Sequence, residues 1–340
     1  VMGRHVYHID SANLPFSYLI EKKNVTYLIP GVNLRSVGTI RDAQKWPKRD
    51  NRKDTHRLDQ INYNLLSPYT VQKMMNGIAI LKALQETSGE NTDIFSYHSA
   101  KINNSSLVKG IMYYNIAIKK FLGNSIIKRL EKFNNGASTT ACNEAEKIAT
   151  QKRSVKRVEQ LAQKDKLQEM REMLRPKTNI GLGDWLDISG LIAPKSEIDQ
   201  LLCNIENGTI QKLGEINEIL AEMHAKYYEY EWSWAASKIE EYFGIKLSEI
   251  TYDQVIEIVN QWQEVVVLLD KMVYEDAKKE FSLAVQTSFG PDGSESEKAM
   301  DFEQVRGQFN NNTFVKAVVE HIKAKTALGE ELKERINTCR

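Results

Sequence analysis

From residue 67 onward, apolar side chains return every three to four positions, the spacing of one helix face. Val71, Met74, Met75, Ile78, Leu81 and Leu84 mark one such stretch, opened by Ser67-Pro68 and stopped by Gly89. Leu107, Ile111, Tyr114, Ile118, Phe121 and Leu122 mark a second over about 105–134, which Gly123 bends or splits. Two long stretches follow at 209–243 and 252–289, the first between Thr209 and Gly244, the second between Thr251 and Gly290-Pro291. The short connection between them predicts an antiparallel pair at the centre of a bundle. A helix at 195–206 and one or two more over 302–338 complete the set.

Three regions depart from this rhythm. Before residue 67 the chain is β-like and loop-rich: Phe16 to Ile20 and Val25 to Ile29 are β-favouring runs joined by Glu21-Lys22-Lys23-Asn24, a predicted hairpin over 16–29. Residues 140–175 are mostly charged, with one narrow apolar stripe, the pattern of a solvated helix. The stretch 176–194 holds Pro176, Gly181, Gly183, Gly190 and Pro194 and marks an internal boundary. The predicted fold is therefore mainly α, a multi-helix bundle with long antiparallel helices preceded by a small β-hairpin and loop region. Its segments are 1–66, 67–175, a linker at 176–194, and 195–340, with no parallel strand pairing expected beyond residue 70.

Composition narrows the class. With 46 basic and 45 acidic residues among 340, the net charge of +1 supplies no global field for nucleic acid or anionic lipid. The longest unbroken apolar run, Val265 to Leu269, is far short of the roughly 20 residues a membrane span needs. Cys142, Cys203 and Cys339 are few, odd in number and scattered, which fits free thiols in a reducing, cytoplasmic setting. The chain opens on Val1 rather than methionine, so a longer polypeptide is expected, with one face of the 16–29 hairpin left partly exposed.

Chemistry-bearing motifs are sparse. The chain has no GxxxxGK[ST], GxGxxG after a strand, GxSxG or HExxH, and so no cofactor is predicted. A di-iron bundle needs Glu-x-x-His; Glu222 and His224 are two apart and splay around the helix, so no metal is assigned there. The aromatic group from Tyr227 to Phe243 reads as bundle packing rather than a stacking platform. His5, His8 and Asp10 lack a fourth metal ligand, which leaves His5 and His8 as candidate bases. Between Arg35 and Arg57 there are eight basic and three acidic residues. Arg35, Arg41, Lys45, Lys48 and Arg49 are candidate anion ligands in this stretch, with Trp46 to stack on a base or sugar.

The run PFSYLIEKKNVTYLIPGVNLRSVGTIRDAQKWPKRDNRKD, followed by RLDQINYNLLSPYTVQKMMNGIAIL, resembles the C-terminal half of an uncharacterised bacterial family. In that family a left-handed hexapeptide β-helix precedes a helical region. The likeness is strongest over about 1–135 and weaker over 136–340, and its motifs carry no catalytic residues that can be transferred. It implies that the β-hairpin region caps a β-helix lying outside this sequence, and that the protein is a homo-oligomer, such as a trimer. By analogy with other β-helix proteins it also implies a transferase acting on a sugar nucleotide or other phosphorylated metabolite. The opposed reading is a non-catalytic assembly module in which the basic segment braces the domains. A pocket joining the histidines to the arginines favours the first; arginines paired to internal carboxylates favour the second.

Overall fold

The computed structural model describes residues 8–53, 58–89, 92–133, 166–286 and 292–339. The fold is mainly α-helical, as the apolar spacing predicts. Strands β1 (Tyr18–Lys22) and β2 (Val25–Ile29) form the expected antiparallel hairpin, turned by Lys23 and Asn24 at positive φ. β1 lies at the edge of its sheet with half-buried side chains, and Val25 is exposed. A second hairpin, β3 (Ile94–Tyr97) and β4 (Ala100–Asn103), extends this sheet to the order β1-β2-β4-β3. Here the structure corrects the sequence reading. β4 runs parallel to β2, with Tyr27 opposite Lys101, so one parallel pairing does exist beyond residue 70.

Helix α1 (Val37–Arg49) replaces the predicted basic loop, a second correction. Its apolar moment was hidden by charge: Val37 and Ile40 pack with Val273, Ala277, Val315 and Val318, and the cations take the other faces. Helices α2 (Pro68–Ser88) and α3 (Asn104–Leu130) match expectation, α2 with a capping box in which Ser67 accepts from the Thr70 amide. α3 is buried nearly all round and is the hub of the bundle. It runs unbroken through Gly123, whose missing side chain lets the Trp262 indole lie directly on the backbone; an added Cβ would sit 2.5 Å from the ring.

Of the predicted polar helix at 140–175, residues 166–174 form α4 and residues 140–165 lie outside the described residues. The Pro/Gly-rich segment 176–194 contains a third hairpin, β5 (Trp185–Ile188) and β6 (Leu191–Pro194), turned at Ser189-Gly190. Gln72 on α2 bonds both the carbonyl and the amide of Trp185, which ties this hairpin to the main core. A satellite cluster under it joins β6 to α5 (Lys195–Glu206) and α6 (Leu213–Ala225).

The long helix predicted at 209–243 is two helices. α6 ends at Ala225 and α7 (Tyr227–Phe243) starts after Lys226. The break has no Gly or Pro to announce it. Met223 belongs to the satellite cluster while Tyr227 packs edge-on against Trp185 in the main core, so the two helices serve different cores. The predicted central pair is corrected with it. α8 (Tyr252–Lys279) does not pair with 209–243; it lies antiparallel to α3, with Trp262 Nε1 donating to Asn124 Oδ1 at 2.7 Å. On its other side it lies antiparallel to α10 (Thr313–Asn337), where Gln263 bonds Thr326 and Glu330 and Asp270 meets His321. A shorter helix α9 (Glu295–Arg306) precedes α10. The main core draws on residues from Leu14 to Cys339.

Candidate functional site

The residues singled out from sequence separate in space. His5 lies outside the described residues, and His8 is exposed near the start of the described chain. The basic stretch is helical from Val37 to Arg49, and Arg41 is engaged, whereas Arg35 precedes the helix and its Nε is buried without a hydrogen-bond partner. The Arg41 Nη1 donates to both oxygens of Glu280, at 2.9 and 3.0 Å, while its guanidinium lies 4.7 Å from the centre of the Phe314 ring. Arg35 is half-buried, 5.8 Å over Tyr113. Asp276 of α8 accepts from the Val37 amide at 3.1 Å and so caps α1 from another helix. Burial works to raise the Asp276 pKa, but bonds from Lys279 and Val37 and the charges of Lys279 and Arg35 outweigh it and hold the carboxyl below its usual range. Lys45, Trp46, Lys48 and Arg49 point outward, with Trp46 59% exposed. These residues do not converge on a shared concavity with His8.

The inner face of α1 does border one. Ile40 and Gln44 form part of the wall of a cavity of about 520 Å³ bordered by α1, α3, α7, α8, α10 and the loop 58–66. That stretch is positioned by Asn62, which bonds Gly190 and Ile192 in the third hairpin, and by His224, whose ring meets the Ile61 carbonyl. Most of the lining is apolar, from Leu34, Phe121, Leu269, Val273 and Val318.

Set into that lining are ionisable groups from four helices. Lys120 of α3 faces Asp270 of α8 and His321 of α10. Asp270 Oδ2 is 2.7 Å from His321 Nδ1, a contact that fixes the imidazole orientation and leaves Nε2 as its other functional atom. Lys120 makes no hydrogen bond or ion pair with any described residue. Burial pushes its pKa down, the nearby Lys325 adds to this, and the Asp270 charge works against it. Across the cavity Glu231 of α7 is pushed up, mainly by burial, with Tyr227, Lys128 and Arg129 opposing. The site thus holds a cation made uncomfortable by desolvation, a carboxyl inclined to keep its proton, and an oriented imidazole. Among the described residues no group of three His, Cys, Asp or Glu side chains could hold a metal ion.

These residues were overlooked in the sequence, although one signal was present. Lys120 falls four residues after Ile116 and four before Asn124, on the face of α3 that meets Trp262. A lysine on an apolar stripe is the mark of a charge carried inward. Asp270 and His321 had no such mark, since their partnership is made only by packing α8 on α10.

A mainly α-helical protein with a largely apolar cavity that carries a few ionisable groups is the class that fold and site define. A family model described as Domain of unknown function (DUF6819) matches residues 166–336, half of the chain, and the chain belongs to that family. A second model, Domain of unknown function (DUF4954), matches residues 1–85. No curated protein and no solved structure matches the chain. No helix among the described residues is long and apolar enough to cross a membrane.

Proposed function

We propose that this chain binds a small acidic metabolite, bearing a carboxylate or phosphate, in the cavity between α1, α3, α8 and α10. The observation that carries this reading is Lys120: its ammonium lines a mostly apolar cavity and makes no hydrogen bond or ion pair with any described residue. An isolated buried charge costs several kcal/mol and is usually replaced or neutralised unless something requires it. An anionic group on a ligand supplies the missing partner. The transferase reading needs a base beside that anion, and His321, held by Asp270, supplies one inside the cavity.

The assembly-module reading is favoured by a separate observation, the Arg41–Glu280 pair. By that criterion α1 is a brace that holds a cavity wall against α8, with Arg41 spent on the pair.

A thermal-shift series with citrate, glucose 6-phosphate and 3-phosphoglycerate tests the proposal. At 100 times its dissociation constant a bound compound adds about 2.7 kcal/mol of stability. At least one should raise the melting temperature of the wild type and leave Lys120→Met unmoved. If none does so, or if Lys120→Met responds equally, the cavity is not an acid site and the assembly reading stands.

A further inference from the structure

A second concavity, of about 840 Å³, lies where the C-terminal ends of α3 and α4 meet the first turns of α7. Its charge is one-sided: Lys128, Arg129, Lys132, Arg175 and Lys177 border it, against Glu172 and Glu229. Unlike Arg41, these cations are poorly matched. Lys132 and Lys177 are exposed and make no ion pair with described residues. Arg175 approaches Glu172 only at 3.8 Å, with both side chains mostly in water. Lys128 lies 3.6 Å from the centre of the Tyr228 ring, and Arg129 lies 5.0 Å over Trp232 with one long bond, 3.4 Å, to the Tyr228 carbonyl. Burial disfavours the charged form of Arg129, and Glu231 and Glu229 oppose that effect.

The second observation is independent of charge. Trp232, only 4% exposed, borders the same cleft, and its Nε1–H has no hydrogen-bond partner. A buried donor left unmatched costs about 1–3 kcal/mol, so such groups are rare in native folds. An acceptor that reached this atom as a ligand seated in the cleft would satisfy it. Exposed cations, an unmatched donor and the half-exposed ring of Tyr228 together describe the chemistry of a phosphorylated ligand with a planar ring.

We propose that this cleft binds a nucleoside diphosphate. Lys132, Arg175 and Lys177 hold its phosphates, Arg129 and the Trp232 indole reach its inner oxygens, and the base lies along Tyr228. Lys128 and Tyr228 also border the interior cavity, so the two sites share a wall. The proposal does not rest on the acid reading of the cavity, because it involves different cations.

Calorimetric titration of the intact chain with adenosine 5′-diphosphate, and with adenosine and pyrophosphate alone, is the test. The diphosphate should bind, pyrophosphate more weakly, and adenosine weakest. The double variant Lys132→Glu/Lys177→Glu should weaken diphosphate binding by at least about tenfold, since it reverses two phosphate contacts, while Lys120→Met leaves it unchanged. Both lysines are exposed, so the double variant should keep the wild-type melting temperature. Ligand-induced tryptophan quenching, lost in Trp232→Phe with the circular-dichroism spectrum retained, gives a second readout that does not depend on the charge reversal. The proposal is overturned if the diphosphate does not bind, or if neither set of variants alters its affinity. It is overturned too if the double variant merely lowers the melting temperature, which would make these cations complements to the C-terminal helix dipoles of α3 and α4. Tighter binding of an oligouridine dodecamer than of the diphosphate would reassign the cleft to RNA.

Discussion

Two basic regions of this molecule look alike in the sequence and differ in the fold. In α1 the inner cation is consumed, Arg41 being matched by Glu280, while Arg35, just before the helix, lies over Tyr113. In the cleft beside α7 the cations outnumber the carboxylates and lean on aromatic faces. The lesson is that charge density along a chain says little about availability. A guanidinium has a limited number of donors, and what decides its role is whether carboxylates from distant elements reach it first. Glu280 is 239 residues from Arg41, and no local reading finds it.

This contrast can be broken or sharpened by substitution. The largest effect is expected at the cavity, where Lys120→Met should raise stability by about 1–2 kcal/mol in urea melts, because an uncompensated charge gives way to an apolar side chain of similar length. The pH dependence supplies a check. A lysine whose folded pKa is lowered sheds its proton earlier when folded, so wild-type stability should rise with pH toward the unfolded lysine's ordinary value, and the variant should lose that rise. A variant less stable than the wild type would mean that Lys120 is already compensated.

Next in size is the brace. Asp276→Ala removes the acceptor that caps α1 and should cost about 1 kcal/mol at neutral pH. Its folded pKa lies below the unfolded value, so this contribution is complete above the unfolded pKa and disappears as pH falls through the folded one. Arg41→Ala should cost slightly less, about 0.5–1 kcal/mol, since the pair is partly solvated. Neither should change diphosphate affinity in the cleft, and a change would erase the distinction between the two regions.

Glu231→Gln should have a smaller effect of the opposite sign. Burial raises the folded pKa of Glu231, so stability is fullest below the unfolded value and falls as pH rises through the folded one. The variant should therefore melt higher than the wild type at neutral pH and converge with it on acidification. The smallest change belongs to Lys132→Glu/Lys177→Glu, within about 0.5 kcal/mol of the wild type in stability, as for exposed sites generally.

Much of the helical framework was legible. Ser67-Pro68 and Thr251 act as the caps their types suggest, and Gly89 and Gly244 end α2 and α7 at positive φ. The hairpins β3–β4 and β5–β6 were missed because four-residue strands are too short to show alternation, although Ser189-Gly190 is a turn signal. The helix in the basic stretch was masked by Pro47 and by its charge, and is held largely by contacts with α8 and α10. The site was the least legible part. Its residues come from α3, α7, α8 and α10, and only Lys120 announces itself by interrupting an apolar face.

The cap on α1 has a consequence for how the molecule breathes. Ser36, at the helix N-cap, makes no side-chain bond to the first turn, so α1 depends on Asp276 of α8 for its cap and on Glu280, just after α8, for its anchorage. Such a helix has little stability of its own and opens as a unit before the bundle does. Amide hydrogens of α1 should exchange with solvent through a local opening well below the global unfolding free energy, while those of α3 exchange only through the latter. Because Ile40 and Gln44 form part of the cavity wall, each such opening widens the way to Lys120. The exchange rate of α1 would then set an upper limit on how fast an occupant of the cavity can leave by that route.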